Sequence, residues 1–426
     1  MEKKKHLLSW YFDSNLLMRI LLGLILGIIF GLIFQEKILW VAPFGSLFVK
    51  LLRMIMLPII ISTLVVGASS VSPANLGKIG IRVVAFYLIT TFIAVAIGLG
   101  MGWTFQPQVQ LGDYASAAAR DVAQVKLADT LLNVVPQSVA QAVVNETILA
   151  VIFFALIFGL AISYLRHSSD QRIKNAVETV YSFFDGLAEV MMKIIRGIMQ
   201  YAPIGVFALV AVVFATNGPK VIGGLGVVTA ACFIGYAIHV IVVYCGIVKF
   251  YSGLNLKRFW KEAKDPFITA FVTRSSNGTL PVTMEAAENL GIKKEVYSFS
   301  LPLGATINMD GTAIYQGVCA TFIALTAWGH GFNISQMGII VVTATLASIG
   351  TAGIPGAGAI MLLMVLDSVG LPVTGGSIVA GAYAMILGID ALLDMGRTAL
   401  NVTGDLTITT VVSQKMGMMD TPKGDK

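Results

Sequence analysis

The sequence has few charged residues and few cysteines for its length. Charged side chains make up 12% of the 426 residues, and 56% of the residues are hydrophobic. An average soluble domain is about 25% charged. One soluble core could not bury that much apolar surface, so we expect the chain to lie in a lipid bilayer. Cys232, Cys245 and Cys319 are far apart in apolar runs, which matches no disulfide or zinc pattern.

Positive charge is missing from one long stretch, because no Lys or Arg occurs between Glu295 and Gly396. Elsewhere Lys and Arg form short clusters between apolar runs, as in cytoplasmic loops, and not the dense patch that nucleic acid requires. The clusters predict a multi-pass protein of the cell membrane with cytoplasmic N- and C-termini. Six apolar runs are long enough to span the bilayer, near residues 15–35, 39–70, 80–105, 145–165, 175–215 and 221–250.

Two further apolar segments are interrupted by similar letters, "SSNGTLPVT" and "ASIGTAGIPGAG". The basic clusters around residues 256–264 and at Lys293 both fit the cytoplasmic side, although only one span fits between them. We therefore predict that residues 265–292 enter from the cytoplasm and return, and that residues 336–370 form a second hairpin from outside. Interrupted helices at membrane depth line cavities and mark the binding sites of transporters.

The last apolar segment, "GIDALLDMGRTALNVTGDL", has polar residues at helical spacing, which places them on one face: Asp390, Asp394, Arg397, Thr398, Asn401 and Asp405. A charge at the bilayer centre costs roughly 3 kcal/mol, so such residues are usually functional. Arg binds a carboxylate in bidentate fashion, and an Asp one turn away suits an ammonium group. This face therefore predicts a zwitterionic ligand with an extra carboxylate. The alternative is that Arg397 and Asp394 only pair and lock the bundle.

The stretch "GATINMDGTAIYQG" places a single carboxylate, Asp310, between apolar runs and beside Asn308. Oxygen ligands with loosened backbone suit a hard cation, although a solvated Asp facing a cavity is an alternative. Hydroxyls of Tyr87 and its neighbours could contribute, but such residues more often only pack in a span. His239 is either a proton relay or a histidine with an ordinary hydrogen-bond partner.

Four motifs together resemble those of the dicarboxylate/amino acid:cation symporter family, the glutamate transporters: "TRSSNGTLPVT", "LPLGATINMDGTAIYQG", "ASIGTAGIPGAGAIM" and "DALLDMGRTALNVTGD". Within that family the sequence is most similar to the archaeal sodium–aspartate symporters. The resemblance implies an all-α polytopic membrane protein with eight transmembrane helices, two re-entrant helical hairpins and inverted repeats. It also implies a homotrimer that works by an elevator mechanism, with Na+ as coupling ion, no cofactor and no enzymatic activity.

The resemblance further divides the chain into a scaffold and a transport domain. The scaffold comprises residues 1–72 (spans 1 and 2) and 127–218 (spans 4 and 5). The transport domain comprises residues 76–108 (span 3) and 219–426, which hold span 6, hairpin 1 at about 256–292, span 7, hairpin 2 at about 334–371, and span 8.

Site residues are implied by the same motifs. The substrate-binding residues are Arg397, Asp394, Thr398, Asn401, Thr312, Ser276, Ile354 and Gly358. One sodium site is implied at Gly304, Asn308, Asn401 and Asp405, a second at Thr306, Ser348, Ile349 and Thr351, and a third at Asp310, Asn308, Tyr87, Thr90 and Thr91. Arg274 is a possible partner of Asp394 or Asp390 in the empty site. Asn277 stands where many relatives have serine, which bears on substrate preference and gating.

The residues and the resemblance together predict sodium-coupled symport of L-aspartate or L-glutamate, with acidic amino acid, Na+ and membrane lipid as partners. The same carrier driven by protons is an alternative, because "NMDGT" is compatible with both. A C4-dicarboxylate carrier would not need Asp394, and a neutral amino acid carrier would be expected to lack Arg397. A channel is less consistent with two asymmetric hairpins. An enzyme is not supported, since "SSNG" has no candidate base nearby.

Overall fold

The computed structural model describes residues 16–69, 80–107, 135–145, 147–348, 356–374 and 377–419. These residues are mostly helical, and the described ranges contain no β-strand, only an isolated bridge between Ile292 and Met419. The α-helices are α1 (Leu16–Phe34), α2 (Ala42–Ser69), α3 (Ile81–Phe105), α4 (Val139–Val144), α5 (Ile148–Leu165), α6 (Gln171–Asn217), α7 (Val221–Ile238), α8 (Leu256–Thr273), α9 (Ser276–Asn289), α10 (Lys294–Ile307), α11 (Asp310–Trp328), α12 (Ile334–Ser348), α13 (Ala357–Ser368) and α14 (Ile378–Lys415).

Several of these helices are long and apolar enough to cross a bilayer. Five such helices lie in the described ranges: Met18–Ser69, Ile81–Phe105, Gln171–Thr216, Ile222–Tyr251 and Ile378–Lys415. Shorter apolar helices are Ala150–Leu165, Ile334–Ser348 and Ala357–Ser368. The chain is therefore a multi-pass membrane protein, while the predicted total of eight spans stays a prediction.

The first apolar helix, α1, packs along α6 through a row of small residues. A Cβ atom at Gly23 would meet the carbonyl of Pro203, and one at Gly31 would meet the carbonyl of Ala211. Residue numbers rise together along the contact, so α1 and α6 run parallel. Glycine is needed here because the two backbones approach closely.

Helix α2 packs on α6 in the opposite direction. A Cβ atom at Gly45 would meet Leu209, while Phe48 lies against Gly205. Because α1 is parallel to α6 and α2 is antiparallel to it, the chain reverses at the 3-10 turn Gln35–Val41. The 52-residue apolar stretch Met18–Ser69 is thus two segments of opposite direction, as the sequence predicted.

A second packed group joins α3, α11 and α14. Gly98 of α3 lies against Ile314 of α11, and Gly102 lies against Thr321, so these two helices run parallel in close contact. Helix α11 also packs on α14 and is almost entirely buried along its length. This arrangement brings the first turn of α11 to the middle of α14.

The first predicted interruption, in "SSNGTLPVT", lies at a helix break. Helices α8 and α9 form a packed hairpin whose turn contains Arg274 in the left-handed conformation, with φ of 56°. Helices α10 and α11 are separated by Asn308 and Met309, which are not helical. Helices α12 and α13 pack against each other, and their connection, residues 349–355, lies outside the described residues.

Candidate functional site

Arg397 is the centre of a buried ion-pair network on α14. Its side chain is 2% exposed, and its guanidinium donates hydrogen bonds to Asp390 through Nη1 (2.8 Å) and to Asp394 through Nε (2.9 Å). The ring of Tyr315 lies 4.6 Å from Cζ, in a cation–π contact. The predicted polar face therefore exists, and the alternative of an Arg397–Asp394 pair is also realised within it.

The turn of the first hairpin supplies a second cation. Arg274 lies with Nη1 3.9 Å from Asp394 Oδ2, and its role as a partner in the empty site stays a prediction. The next residue, Ser275, caps α9 by accepting a hydrogen bond from the backbone N–H of Gly278 (3.0 Å). Ser276 is buried in the first turn of α9, where helix N–H groups favour an anion. These positions are compatible with binding of a carboxylate at Ser276.

Small residues allow the neighbouring segments to reach Arg397. A Cβ atom at Gly358 of α13 would lie 2.6 Å from Arg397 Cζ and 2.7 Å from Nη1. On the opposite side, a Cβ atom at Gly311 would collide with the backbone of Arg397. The backbone N–H of Gly356, just before α13, donates to Asp394 Oδ2 (3.3 Å). The turn between α8 and α9 and the start of α13 therefore contact the same charged cluster.

Further predicted substrate residues lie next to this cluster. Thr398 donates to Asp394 Oδ1 (3.2 Å). Asn401 accepts a hydrogen bond from the N–H of Gly311 (2.7 Å), and its Nδ2 approaches Thr312 Oγ1 (3.4 Å). The first turn of α11 is thereby fixed to the middle of α14.

Asn308 lies in the break between α10 and α11 and contacts the next turn of α14. Its Nδ2 donates to Asp405 Oδ1 (3.0 Å) and to the carbonyl of Asn401 (3.1 Å). A Cβ atom at Gly304 would lie 2.5 Å from Asp405 Oδ1 and 2.6 Å from the hydroxyl of Tyr87. The four residues of the first predicted sodium site are thus brought together.

Two residues of the third predicted sodium site, Thr91 and Asp310, are in direct contact. Thr91 donates to Asp310 Oδ1 (2.6 Å), and both residues are fully buried. Tyr87 donates to the carbonyl of Ser300 (3.0 Å), and Thr90 donates to the carbonyl of Tyr87 (3.2 Å).

The donor chemistry of these two sites fits a hard cation. Carboxylate, amide, hydroxyl and backbone oxygens are the available ligands, and no soft ligand is required. Asn308 Oδ1 is buried and has no hydrogen-bond partner among the described residues. A buried acceptor without a donor is unfavourable unless something positive binds it. The residues therefore fit Na+.

Other predicted residues are not brought together by the described part of the structure. Thr306 lies near the end of α10, and Ser348 ends α12. Ile349, Thr351 and Ile354 lie outside the described residues, so the second sodium site and the tip of the second hairpin stay predictions.

The side chain of Asn277 has a different environment from the substrate cluster. It is exposed and lines a cavity of about 390 Å³ between α9, α10, α2 and α6. Asp185 and Glu189 of α6 line the opposite wall of this cavity.

Comparison with known proteins identifies the family. The profile of the sodium:dicarboxylate symporter family matches residues 16–415. The chain belongs to this family. A proton/sodium-glutamate symport protein of Geobacillus stearothermophilus is 34% identical over 90% of each chain. A proton/glutamate-aspartate symporter of Escherichia coli is 33% identical over 88% of this chain and 84% of the relative. A human neutral amino acid transporter B(0) is 33% identical over 85% of this chain and 71% of the relative. The expected similarity to archaeal members stays a prediction.

Three residues of this family member were not assigned to the site by sequence reasoning. Asp390 was placed on the polar face, but its bidentate contact with Arg397 was not predicted. Tyr244 and His239 both contact Asp310 Oδ2, at 2.7 and 3.1 Å. A buried histidine in an apolar run was the available signal, and its partner could not be read from spacing.

Proposed function

We propose that this chain is a secondary active symporter that moves L-aspartate or L-glutamate together with Na+. The observation that carries the proposal is the buried Arg397, paired with Asp390 and Asp394 at the meeting point of two interrupted helices and one hairpin turn. Intramembrane charges of this kind mark substrate pathways, and interrupted helices mark transporter binding sites.

The ion pairs around Arg397 suit an exchange with an acidic amino acid. The carboxylate of the substrate side chain replaces Asp394 at the guanidinium, and the released Asp394 accepts the substrate ammonium group. Asp390 retains its bidentate contact throughout. Arg397, Asp390 and Asp394 then each have a charged partner before and after binding, which avoids the cost of a broken buried pair, about 3–5 kcal/mol.

The same pairing of charges disfavours ligands other than an acidic amino acid. A neutral amino acid would separate Arg397 from Asp394 and offer no second carboxylate in return. A C4-dicarboxylate would leave Asp394 with Arg274, at 3.9 Å, as its one cationic partner among the described residues. A site built from charged groups discriminates strongly against ligands that leave those groups unpaired. We therefore favour an amino acid with two carboxylates.

Na+ is transported with the substrate in this proposal. Asp405, Asn308, Gly304 and Asn401 would bind one ion, and Asp310 with Thr91 and its neighbours would bind another. Each ion that follows a tenfold gradient supplies about 1.4 kcal/mol, and each net charge moved through 100 mV supplies about 2.3 kcal/mol. Several ions together can drive concentration of an acidic substrate.

The remaining architecture belongs to the same proposal. The helices fit eight spans with two re-entrant hairpins, a scaffold of α1, α2, α5 and α6, and a transport domain that holds α3 and the elements from α7 onward. The transport domain would move across the membrane as an elevator within a homotrimer, with the second hairpin as gate and both termini in the cytoplasm. This division agrees with the close packing of α1 and α2 on α6, and of α3 on α11.

Proton coupling is the second candidate. The Escherichia coli relative is named as a proton/glutamate-aspartate symporter, and the Geobacillus relative is named for both ions. The surroundings of Asn308 favour Na+, because its buried oxygen has no hydrogen-bond partner among the described residues and can bind a cation directly.

The test is uptake of radiolabelled L-aspartate into proteoliposomes under separately imposed sodium and proton gradients. We expect uptake with a sodium gradient at constant pH, and none when choline replaces sodium. Arg397→Cys should abolish uptake of aspartate, because it removes the guanidinium that the proposal places at the side-chain carboxylate. Uptake driven by a proton gradient alone would favour the second candidate, and full aspartate uptake by Arg397→Cys would exclude the role given to Arg397.

A further inference from the structure

Both carboxylate oxygens of Asp310 accept hydrogen bonds, and the segment after α7 supplies the donors on one of them. Thr91 donates to Oδ1 (2.6 Å). Oδ2 accepts from the hydroxyl of Tyr244 (2.7 Å) and from Nε2 of His239 (3.1 Å). All four side chains are fully buried, so these contacts are the immediate environment of the carboxylate.

A local change of helix type explains how one segment reaches Oδ2 twice. Residues five apart in an α-helix point about 140° away from each other. His239–Tyr244 forms a π-helical turn, whose wider i→i+5 repeat brings its first and last residues closer to one face. Turns of this kind are frequent at functional sites. The rings of His239 and Tyr244 meet edge to face, with centroids 4.7 Å apart.

The surroundings of His239 and Tyr244 explain how the two side chains are held. A carboxylate only accepts hydrogen bonds, so Nε2 of His239 carries the hydrogen. Nδ1 of the same ring has no hydrogen-bond partner in the described part of the chain, so the bond to Asp310 and the edge-to-face contact with Tyr244 orient the imidazole. On the other side, a Cβ atom at Gly404 of α14 would collide with the hydroxyl of Tyr244 and lie 2.5 Å from Nδ2 of Asn308. Gly404 thus leaves the space that the Tyr244 hydroxyl occupies.

We propose that His239 and Tyr244 are positioning residues that make Asp310 a one-oxygen cation ligand and thereby set its preference for small monovalent cations. An ionised carboxylate has about four acceptor positions. His239 and Tyr244 take both positions on Oδ2, and Thr91 takes one on Oδ1. One position on Oδ1 is left for a cation. This inference rests on the proposed sodium-coupled function.

The number of available oxygens affects which ion binds best. A bidentate carboxylate suits large cations with many ligands, whereas small cations favour single oxygens in a tight, regular shell. If a donor on Oδ2 is removed, the second oxygen becomes available and the carboxylate can rotate. The affinity for large cations should then rise relative to the affinity for small cations, whether the absolute affinities rise or fall.

The test measures ion discrimination without transport. The thermal unfolding midpoint of the purified, aspartate-free protein is titrated with NaCl and with KCl, with choline chloride added to constant ionic strength. A ligand that binds the folded state raises the midpoint in a concentration-dependent way. The variants are Tyr244→Phe and His239→Leu, with His239→Gln as a replacement that keeps an N–H donor. Tyr236→Phe on α7 is the matched control, since its hydroxyl is buried without a partner among the described residues.

We expect the ratio of half-saturating K+ to Na+ to fall by roughly tenfold in Tyr244→Phe and in His239→Leu, which corresponds to a difference of about 1.4 kcal/mol between the two ions. His239→Gln and Tyr236→Phe should retain the original ratio. An unchanged ratio in both Tyr244→Phe and His239→Leu, even with a lower midpoint in choline, would mean that the pair only stabilises the fold and would overturn the inference. If the unmodified protein shows no sodium-specific stabilisation, the proposed sodium coupling is what fails.

Discussion

Gly358 is the position where a single added methyl group tests the substrate site most directly. A Cβ atom there would lie 2.6 Å from Cζ of Arg397, whereas carbon atoms pack at about 3.5–4.0 Å. The guanidinium must therefore move by about 1 Å in Gly358→Ala. It is not free to do so, because Asp390, Asp394 and the ring of Tyr315 hold it on its other sides.

The expected loss of affinity follows from that displacement. A shift of about 1 Å lengthens a 2.9 Å hydrogen bond beyond useful range, and a hydrogen bond to a charged group contributes about 1.5–3 kcal/mol. If the bound substrate carboxylate loses one such bond, affinity for aspartate falls roughly 10- to 150-fold. Affinity for Na+ in the absence of aspartate should change little, because Asp405 lies two turns further along α14.

The assay is aspartate binding by calorimetry at saturating sodium, supported by the KM for uptake into proteoliposomes. Gly381→Ala is the matched control, since a Cβ atom at this position of α14 meets nothing within 4 Å. Unchanged aspartate affinity in Gly358→Ala would refute the contact between α13 and Arg397 as a determinant of substrate binding. An equal loss in Gly381→Ala would show that the effect is not local.

Three more substitutions test other parts of the structure. Asp394→Asn should lower the affinity for aspartate more than a hundredfold, because the partner of the ammonium group is lost and a broken buried pair costs about 3–5 kcal/mol. The affinity for succinate, which has no ammonium group, should fall far less. Equal losses for the two ligands in competition assays would contradict the ion-pair exchange. Gly304→Ala, with its Cβ atom 2.5 Å from Asp405 Oδ1, should raise the sodium concentration for half-maximal uptake at least about tenfold. Gly98→Ala should destabilise the protein by about 1–3 kcal/mol in thermal unfolding, because its Cβ atom would meet the backbone of Ile314. Gly100→Ala is the control, and it should not destabilise the protein because its Cβ atom meets nothing within 4 Å.

Much of the fold follows from patterns that are local in the sequence. The polar face of α14 could be predicted because helical spacing alone brings Asp390, Asp394 and Arg397 together. The packed pair α8 and α9 agrees with the hairpin predicted from two basic clusters that both fit the cytoplasmic side, and its re-entry from that side stays a prediction. The reversal between α1 and α2 could be predicted because two successive apolar runs, near 15–35 and 39–70, are each long enough to span the bilayer.

The pairing of charges could not be predicted in the same way. Several carboxylates lie within reach of Arg397, and spacing does not say which of them is bidentate; the structure assigns Asp390. The contact of His239 with Asp310 joins segments 71 residues apart. The contact also depends on a π-helical turn. A helical wheel drawn for an α-helix would place His239 and Tyr244 on different faces. Loosened backbone was predicted around Asn308. The contact of Asn308 with Asp405 could not be predicted, because it depends on how the helices pack.

Asn401 gives a physical basis for coupling between substrate and cation. It lies on α14 between Arg397, one turn before it, and Asp405, one turn after it. Its side chain accepts from the N–H of Gly311, and its carbonyl accepts from Asn308, so both edges of the break between α10 and α11 are bonded to this one residue. A change in the position of Asn401 on substrate binding must alter the oxygens around Asn308, and the reverse holds as well. Linkage between two sites is reciprocal, so the factor by which Na+ strengthens aspartate binding must equal the factor by which aspartate strengthens Na+ binding.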